Sequence, residues 1–210
     1  MDRLISTFHI LEIQNQRIFG YESLYFDTDD LLFYRQHHNQ VRPRYKVRYR
    51  KYLEPIEFYF EIKSKNNKDR TLKTRKKVTN ISDTFSQSIR QMILERVGVE
   101  PDLLHPTVKI SFSRITLVDQ NITNRVTIDF NIVAGKDDEI REFHNIVIAE
   151  VKQPRIQPRA EFMEIMRSLK ISPMRMSKYC LGIIHTHPGV KHNRFKPRLL
   201  QINKIMSESR

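Results

Sequence analysis

The sequence contains one cysteine, no tryptophan and five glycines among 210 residues. Because a disulfide needs two cysteines, Cys180 alone excludes a disulfide framework and is typical of a reducing compartment. With so few glycines, neither a Gly-rich phosphate-binding loop nor a dinucleotide-binding turn occurs. Neither a signal peptide nor a run of about 18 uncharged apolar residues is present, which predicts a cytoplasmic protein without a transmembrane segment.

Positive charge is what the chain has in excess. It carries 37 Lys and Arg against 24 Asp and Glu, a net charge of +13, and 39% of its residues are hydrophobic. The apolar content favours a folded chain over a disordered one. The charge predicts an anionic partner, which could be a nucleic acid, a membrane surface or a phosphorylated small molecule. No linker is evident, so we expect a single domain over residues 1–210, with 191–210 as a terminal helix or a tail.

Hydrophobic alternation predicts a largely antiparallel set of strands with helices between them. The strands are expected at 9–14, 17–28, 44–53, 56–64, 71–78, 107–118, 124–133 and 145–153. The first two are expected to form a hairpin. Helices are expected over 83–97, over 159–169 and after Ser177, whose hydroxyl can cap the following turn.

Several of these strands place apolar side chains on one face and charged side chains on the other. The charged sets are Lys46, Arg48 and Arg50; Glu57, Glu61 and Lys63; Lys73, Arg75 and Lys77; Arg125 and Asp129; and Glu150 and Lys152. Each could be the solvated side of a sheet. Alternatively, strands that close with these faces inward would form a basic lumen that needs a multiply charged anion. The few carboxylates in it could hold a divalent cation.

An ordered series of motifs resembles the VTC (vacuolar transporter chaperone) domain, the polyphosphate polymerase branch of the CYTH-like triphosphate tunnel metalloenzymes. The motifs are Tyr25-Phe26-Asp27-Thr28, Tyr45 to Arg50, Phe60 to Lys63, Arg125 to Asp129, Ala149 to Lys152 and Ser177-Lys178-Tyr179. The resemblance implies an α+β fold with an antiparallel eight-stranded β-barrel, helices packed outside, and a basic lumen that holds triphosphate or polyphosphate together with Mn²⁺ or Mg²⁺. Members transfer a terminal phosphoryl group from a nucleotide such as ATP to polyphosphate, or hydrolyse triphosphates.

The resemblance also implies roles for individual residues. Catalytic phosphate-gripping cations would be Arg48, Arg50, Lys63, Arg125 and Lys178, with Arg114 and Arg175 as further substrate-binding residues. Arg75 and Lys152 join the substrate-binding set from the charged strand faces. Glu150 would bind the metal, helped by Glu61 or Asp129. Strict alternation groups Arg114 with Val108, Ile110 and Phe112 on an apolar face, so either a bulge shifts the phase or the assignment of Arg114 is wrong.

One part of the family pattern has no counterpart in this sequence. Family members begin with a strand that carries a Glu/Arg/Lys cluster, whereas only residues 1–9 precede the matched segment here. We therefore expect a tunnel without its first strand, in which residues 9–14, the C-terminal segment or a second copy covers the gap. A homo-oligomer or a membrane-associated partner fits this expectation. The alternative function is a non-catalytic module that binds polyphosphate, pyrophosphate or an inositol phosphate; nucleic acid is not the expected partner.

Overall fold

The computed structural model describes residues 7–68, 70–120, 124–136, 138–152 and 161–208. Within these ranges the chain has an α+β fold, in which nine strands form one antiparallel sheet and five α-helices pack on it. No helix in the described ranges has both the length and the apolar character needed to span a bilayer.

The strands and helices are numbered in chain order. The strands are β1 Phe8–Ile10, β2 Phe19–Asp27, β3 Arg44–Leu53, β4 Ile56–Lys65, β5 Thr71–Val78, β6 His105–Asp119, β7 Arg125–Lys136, β8 Glu139–Phe143 and β9 Ile148–Lys152. The helices are α1 Leu32–Asn39, α2 Gln87–Val97, α3 Glu161–Ser168, α4 Lys178–Thr186 and α5 Lys196–Ser207. Short 3₁₀ turns lie at Pro101–Leu103 and Asn193–Phe195.

The sheet has the lateral order β5-β4-β3-β2-β6-β7-β8. β1 pairs with the end of β6, and β9 pairs with β7 beyond β8. Thus β5 forms one edge, while β8 and β9 share the other. Among the described residues no strand pairing joins the two edges, so the sheet is open and the expected closed eight-stranded barrel is not confirmed.

Most of the predicted strands are present, but the predicted first hairpin is confined to an isolated antiparallel bridge between Ile13 and Gln16, and its two strands do not pair with each other. β1 pairs with β6, Phe8 lying opposite Asp119, whereas β2 lies between β3 and β6. The 15-residue β6 is long enough to pair with both strands, which sequence alternation cannot reveal. β1 therefore does not cover the gap between the sheet edges. The C-terminal segment contains the helix α5. The predicted strand 145–153 and the predicted helix 159–169 include residue 153 and residues 159–160, which lie outside the described residues.

Helices cover the two ends of one sheet face. Beneath α2, the core contains Val47 and Tyr49 of β3 and Phe60 and Ile62 of β4. Beneath α3, Phe162 packs in a second core cluster with residues of β6 and β7. These apolar positions are the alternate residues of their strands, so the intervening charged residues must lie on the opposite face.

That opposite face is apolar at one end, where α4 packs on it. Tyr179, Leu181 and Ile183 of α4 join Val108 and other residues of β6 and β7 in a buried cluster. The close approach requires Gly182, since an added Cβ would lie 2.7 Å from Ile110 Cδ1. As predicted, Ser177 caps the helix, its Oγ accepting a hydrogen bond from the Cys180 N–H at 3.3 Å. The rest of this face is left to the charged residues.

Candidate anion-binding site

The charged side chains of β3, β4 and β5 lie in transverse rows on one face of the sheet. Residues directly opposite each other in neighbouring strands share a face. The strand register places Lys46, Lys63 and Lys73 in one row, Arg48, Glu61 and Arg75 in the next, and Arg50, Tyr59 and Lys77 in the third. By the same register Tyr25, Ser23, Arg114, Asp129, Arg125, Glu150 and Lys152 lie on this face, which we call the charged face.

A buried ion cluster lies at the centre of the charged face. Arg48 donates from Nε and from a terminal nitrogen to Glu61 Oε2, at 2.9 and 2.5 Å, and to the Tyr25 hydroxyl at 2.7 Å. Lys73 Nζ lies 2.5 Å from Glu61 Oε1. Although burial opposes its ionisation, Arg48 and Arg50 lower the pKa of Glu61 to about 2. Although burial alone would raise it, the same two charges lower the pKa of Tyr25 to about 8. Glu61 is therefore ionised at neutral pH, whereas Tyr25 changes charge near pH 8.

Arg50 is buried without a counter-ion. Its side chain is 9% exposed, and its Nε donates to Ser23 Oγ at 3.1 Å. Its guanidinium carbon lies 5.5 Å from the ring centre of Tyr21 and 5.7 Å from that of Phe112. Of the described carboxylates, none forms an ion pair with it. Burial and the charge of Arg48 lower the pKa of Arg50 to about 10. An anion bound here would supply the missing charge.

The lysine row is a second place where positive charge is not balanced. Lys63 lies between Lys46 and Lys73 in the strand register, and like charges directly opposite one another destabilise a sheet. Glu61 pairs with Lys73, but among the described residues neither Lys46 nor Lys63 has an ion-pair partner. Burial, together with Arg48 and Lys46, lowers the pKa of Lys63 to about 8. The row favours an anion that neutralises it.

A second ion cluster connects the sheet to α4. Arg114 donates to both oxygens of Asp129, at 2.5 and 2.8 Å, and Lys178 donates to Asp129 as well. Asp129 is 1% exposed, and although burial opposes ionisation, these two partners lower its pKa. The cations also lie near Phe112, with Lys178 Nζ 4.6 Å and the Arg114 guanidinium carbon 5.2 Å from its ring centre. α4 thus fixes Lys178 at the border of the charged face.

The alternation of β6 is unbroken at Arg114. The register pairs Phe19 with Arg114, Tyr21 with Phe112 and Tyr25 with Val108, so Arg114 does share its face with the apolar residues. That face is apolar beneath α4 and charged farther along, which is why alternation grouped the two kinds of residue. β6 has a register shift with β2 at Thr107, beyond Val108, so the alternation from Val108 to Arg114 is intact. The register shift between β6 and β7 lies in β7, at Asn131 with a φ of 51°. It brings Ile132 into the core beneath α4.

The remaining predicted site residues are more peripheral. Arg125, Glu150 and Lys152 lie on the charged face but are exposed at the β7 and β9 edge. The Arg75 guanidinium lies 4.7 Å from the ring centre of Tyr59 and is also exposed. Arg175 precedes α4, is exposed, and borders a small crevice against α5 instead of the charged face.

The expected metal ligands do not form a preformed cation site. Glu61 is occupied by Arg48 and Lys73, and Asp129 by Arg114 and Lys178. The Glu150 side chain is 58% exposed and has Lys152 Nζ at 3.9 Å. Within the described ranges no three His, Cys, Asp or Glu side chains are grouped closely enough to hold a metal ion. These carboxylates therefore do not fit a divalent-metal site in the arrangement seen.

Sequence reasoning did not assign site roles to several neighbours of the predicted cations. Tyr25, Ser23 and Tyr21 alternate along β2 and contact Arg48 and Arg50. Lys46 and Lys73 complete the lysine row. Their alternate spacing was the available signal, since it places them on the same face as residues already selected.

In the described residues, the fold and the site define an α+β protein whose open antiparallel sheet carries a basic face beside α4. The sequence matches the VTC domain over residues 1–187, so the chain belongs to the VTC domain family. No curated protein sequence is significantly similar to the chain.

Two solved structures support the fold. A Bacillus halodurans protein proposed to be an adenylate cyclase has a TM-score of 0.51 and 15% identity, covering 77% of this chain and 80% of that chain. The second is a Hippeastrum protein proposed to be an adenylyl cyclase and described as having a dominant triphosphatase activity. It has a TM-score of 0.52 and 11% identity, and the match covers 91% of each chain. At these identities the likeness concerns the fold alone.

Proposed function

We propose that this chain binds triphosphate or polyphosphate on the charged face and transfers the terminal phosphoryl group, as a polyphosphate polymerase of the VTC family does. The observation that carries the proposal is the uncompensated charge of Arg50 and Lys63, which lie on the same face about two rows apart. Neighbouring rows lie two residues apart along a strand, a spacing of about 7 Å, so a linear polyanion can contact several rows at once.

The cations have different tasks in this proposal. Arg50, Lys63 and Lys46 lack carboxylate partners among the described residues, so they bind phosphate oxygens directly. Arg48 and Lys178 are held by Glu61 and Asp129 and supply fixed positive potential close to the bound chain. Arg75 and Arg125 are exposed and contact the anion from the sides. Phosphoryl transfer needs mainly such positioning and charge stabilisation.

Two further observations support a triphosphate as the substrate. The family resemblance implies ATP as the phosphoryl donor, and the Hippeastrum protein of similar fold is described by its triphosphatase activity. The resemblance also implies Mn²⁺ or Mg²⁺, which would neutralise phosphate charge. Since the described carboxylates do not form a metal site, the binding proposed here uses only the chain's own cations. The metal remains a prediction, tested by adding it to the assay.

The test combines calorimetry with a turnover assay on the 210-residue chain. Tripolyphosphate is expected to bind at moderate salt, and Lys63→Met is expected to weaken binding by roughly 10- to 100-fold, the effect of one charge-assisted hydrogen bond. The matched control is Lys76→Met, which removes the same charge from the opposite face of β5. Equal losses for the two variants, or absence of binding, would contradict the proposal.

Turnover is measured by incubating the protein with ATP, with and without Mn²⁺, and following polyphosphate and released phosphate. Activity that is reduced in Lys63→Met and retained in Lys76→Met supports phosphoryl transfer on the charged face, whereas phosphate release no faster than without protein contradicts it.

Binding without turnover is the second candidate function. The observation in its favour is that Glu61 and Asp129 are both occupied by cations, which leaves little capacity to hold a catalytic metal. Tight binding of tripolyphosphate with no phosphate release selects this candidate. If RNA displaces tripolyphosphate and its affinity falls steeply with salt, the charged face is instead a nucleic-acid surface.

A further inference from the structure

Four aromatic rings form a continuous ladder across the charged face. Phe112 stacks on Tyr21 with a centroid separation of 5.1 Å, whereas Tyr21 contacts Tyr52 edge-to-face at 5.0 Å and Tyr52 contacts Tyr59 edge-to-face at 5.6 Å, with 76° between the last two ring planes. These residues, which we call the aromatic ladder, come from β6, β2, β3 and β4. Cross-strand aromatic pairs stabilise sheets, so packing alone could account for any one pair.

The exposure of the ladder changes along its length. Phe112 is buried at 5% exposure, whereas Tyr21, Tyr52 and Tyr59 are half-buried. An aromatic group of a ligand can therefore reach the Tyr52 and Tyr59 end, while the Phe112 end is closed.

The ladder lies directly beside the cations of the proposed phosphate site. Arg50 and Arg114 lie 5.5 and 5.2 Å from the ring centre of Tyr21, and Arg75 lies 4.7 Å from that of Tyr59. Tyr52 lies two residues along β3 from Arg50, a spacing of about 7 Å. If the phosphates of a ligand run from Lys63 to Arg50, the group attached to them at the Arg50 end lies beside the half-exposed tyrosines.

We propose that the ring of Tyr52, held edge-to-face by Tyr59, is a stacking platform for the base of a nucleoside triphosphate whose phosphates lie along Arg50 and Lys63. This inference rests on the proposed function and assigns the part of the charged face that contacts the base. Aromatic side chains stack on any nucleobase because every base has a π face, and adjacent arginines strengthen such sites. Tripolyphosphate lacks a base and gains nothing from the ladder.

The test compares ATP with tripolyphosphate by calorimetry for three proteins: the wild type, Tyr52→Leu and Tyr52→Phe. Loss of one stacking ring is expected to weaken ATP binding about tenfold in Tyr52→Leu, with tripolyphosphate affinity changed less than about twofold. Tyr52→Phe keeps the ring and is expected to bind both ligands as the wild type does. Thermal unfolding of each variant without ligand checks that the fold is retained.

The outcomes separate this inference from the function on which it rests. Equal weakening for ATP and tripolyphosphate, or no weakening of either in Tyr52→Leu, overturns the stacking platform while leaving phosphate binding in place. If the wild-type protein binds neither ligand, the proposed function fails and the platform fails with it. A loss in Tyr52→Phe equal to that in Tyr52→Leu also overturns stacking, since the hydroxyl would then be the group that matters.

Discussion

Lys63 is the side chain whose ionisation links the charged face most directly to pH. Its pKa is about 8 in the folded protein, against 10.5 for an unperturbed lysine. The folded state therefore loses this proton at lower pH than the unfolded chain. Below pH 8 the charged Lys63 makes the ligand-free fold less stable, and this cost is relieved as the pH rises from about 8 to 10.5.

Tripolyphosphate binding should weaken as the pH rises through 8, because Lys63 then loses the charge that contacts phosphate. We expect about a tenfold loss of affinity between about pH 7 and 9. In Lys63→Arg the charge persists, so a flatter pH profile is expected by calorimetry. Tyr25 also titrates near pH 8, and Tyr25→Phe removes its contribution. Identical pH profiles for the wild type and Lys63→Arg would refute the assignment to Lys63.

Glu61 stabilises the fold by neutralising buried cations, and its removal should be costly. Glu61→Gln leaves Arg48 and Lys73 without their shared counter-ion, which is expected to lower the free energy of unfolding by about 3–5 kcal/mol. The measurement is urea denaturation. The control is Glu57→Gln, whose partner Lys77 is exposed, so that the loss of this ion pair should change stability far less than the loss of Glu61 does.

Ligand binding gives a second test of Glu61. Because tripolyphosphate can replace the lost negative charge, it should raise the melting temperature of Glu61→Gln more than that of the wild type. A smaller shift in the variant would show that the anion does not lie near Arg48.

At the scale of the elements, Asp27 joins one strand end to two helices. Its carboxylate accepts hydrogen bonds from the N–H groups of Phe33 and Tyr34, at 2.8 and 2.9 Å, and from the Tyr179 hydroxyl. The first two groups lie in the first turn of α1, where the Thr28 hydroxyl also accepts a hydrogen bond from the Leu32 N–H, at 3.0 Å. Asp27 is fully buried, so it determines where both α1 and α4 sit on the sheet.

Asp27→Ala is expected to destabilise the protein by about 2–4 kcal/mol, since it leaves two helix N–H groups and a phenol without their buried acceptor. In Asp27→Ala, hydrogen exchange is expected to be faster at the Phe33 and Tyr34 amides than at the β3 amides. Asp29→Ala serves as the control, because the Asp29 side chain is 92% exposed. A stability loss as small as that of the control would contradict the role of Asp27.

Alternation within a strand predicted which side chains share a face, and it did so for Arg48, Arg50 and Lys63 before any pairing was known. The pairing itself depends on contacts between distant parts of the chain. For that reason the position of β1 on β6 and the register shift at Asn131 could not be predicted. The ion pairs of Glu61 and Asp129 were missed for the same reason, since a carboxylate among cations reads equally well as a metal ligand.

Two elements were missed for local reasons. α1 follows Leu31 in a left-handed conformation, and its capping carboxylate, Asp27, lies five residues before the helix, so no ordinary start signal is present. The first four residues of β8, Glu139 to Glu142, are exposed and mostly charged, so this edge strand shows no apolar alternation.

For the molecule as a whole, the net charge of +13 should act in opposite directions on stability and on binding. Salt screens repulsion among the cations of the ligand-free protein, so its melting temperature should rise between about 50 and 500 mM NaCl. Over the same range, tripolyphosphate affinity should fall because salt weakens the attraction to the charged face. A melting temperature that falls with NaCl would contradict the view that uncompensated cations destabilise the free state.

Among the described strands, the charged face lies between two sheet edges, one formed by β5 and the other by β8 and β9. β5 carries Lys73, Arg75, Lys76 and Lys77, and a row of cations discourages pairing with another strand. The charge of this edge therefore favours a polyanion over a second copy of the chain as its partner.

The most direct test of the central claim is a crystal structure of the protein with tripolyphosphate. We expect phosphate oxygens within hydrogen-bond distance of Arg50 and Lys63, on the face of the sheet opposite α2. Phosphates bound at Lys76 on the opposite face of the sheet, or along α5, with Arg50 and Lys63 free of ligand, would contradict binding on the charged face.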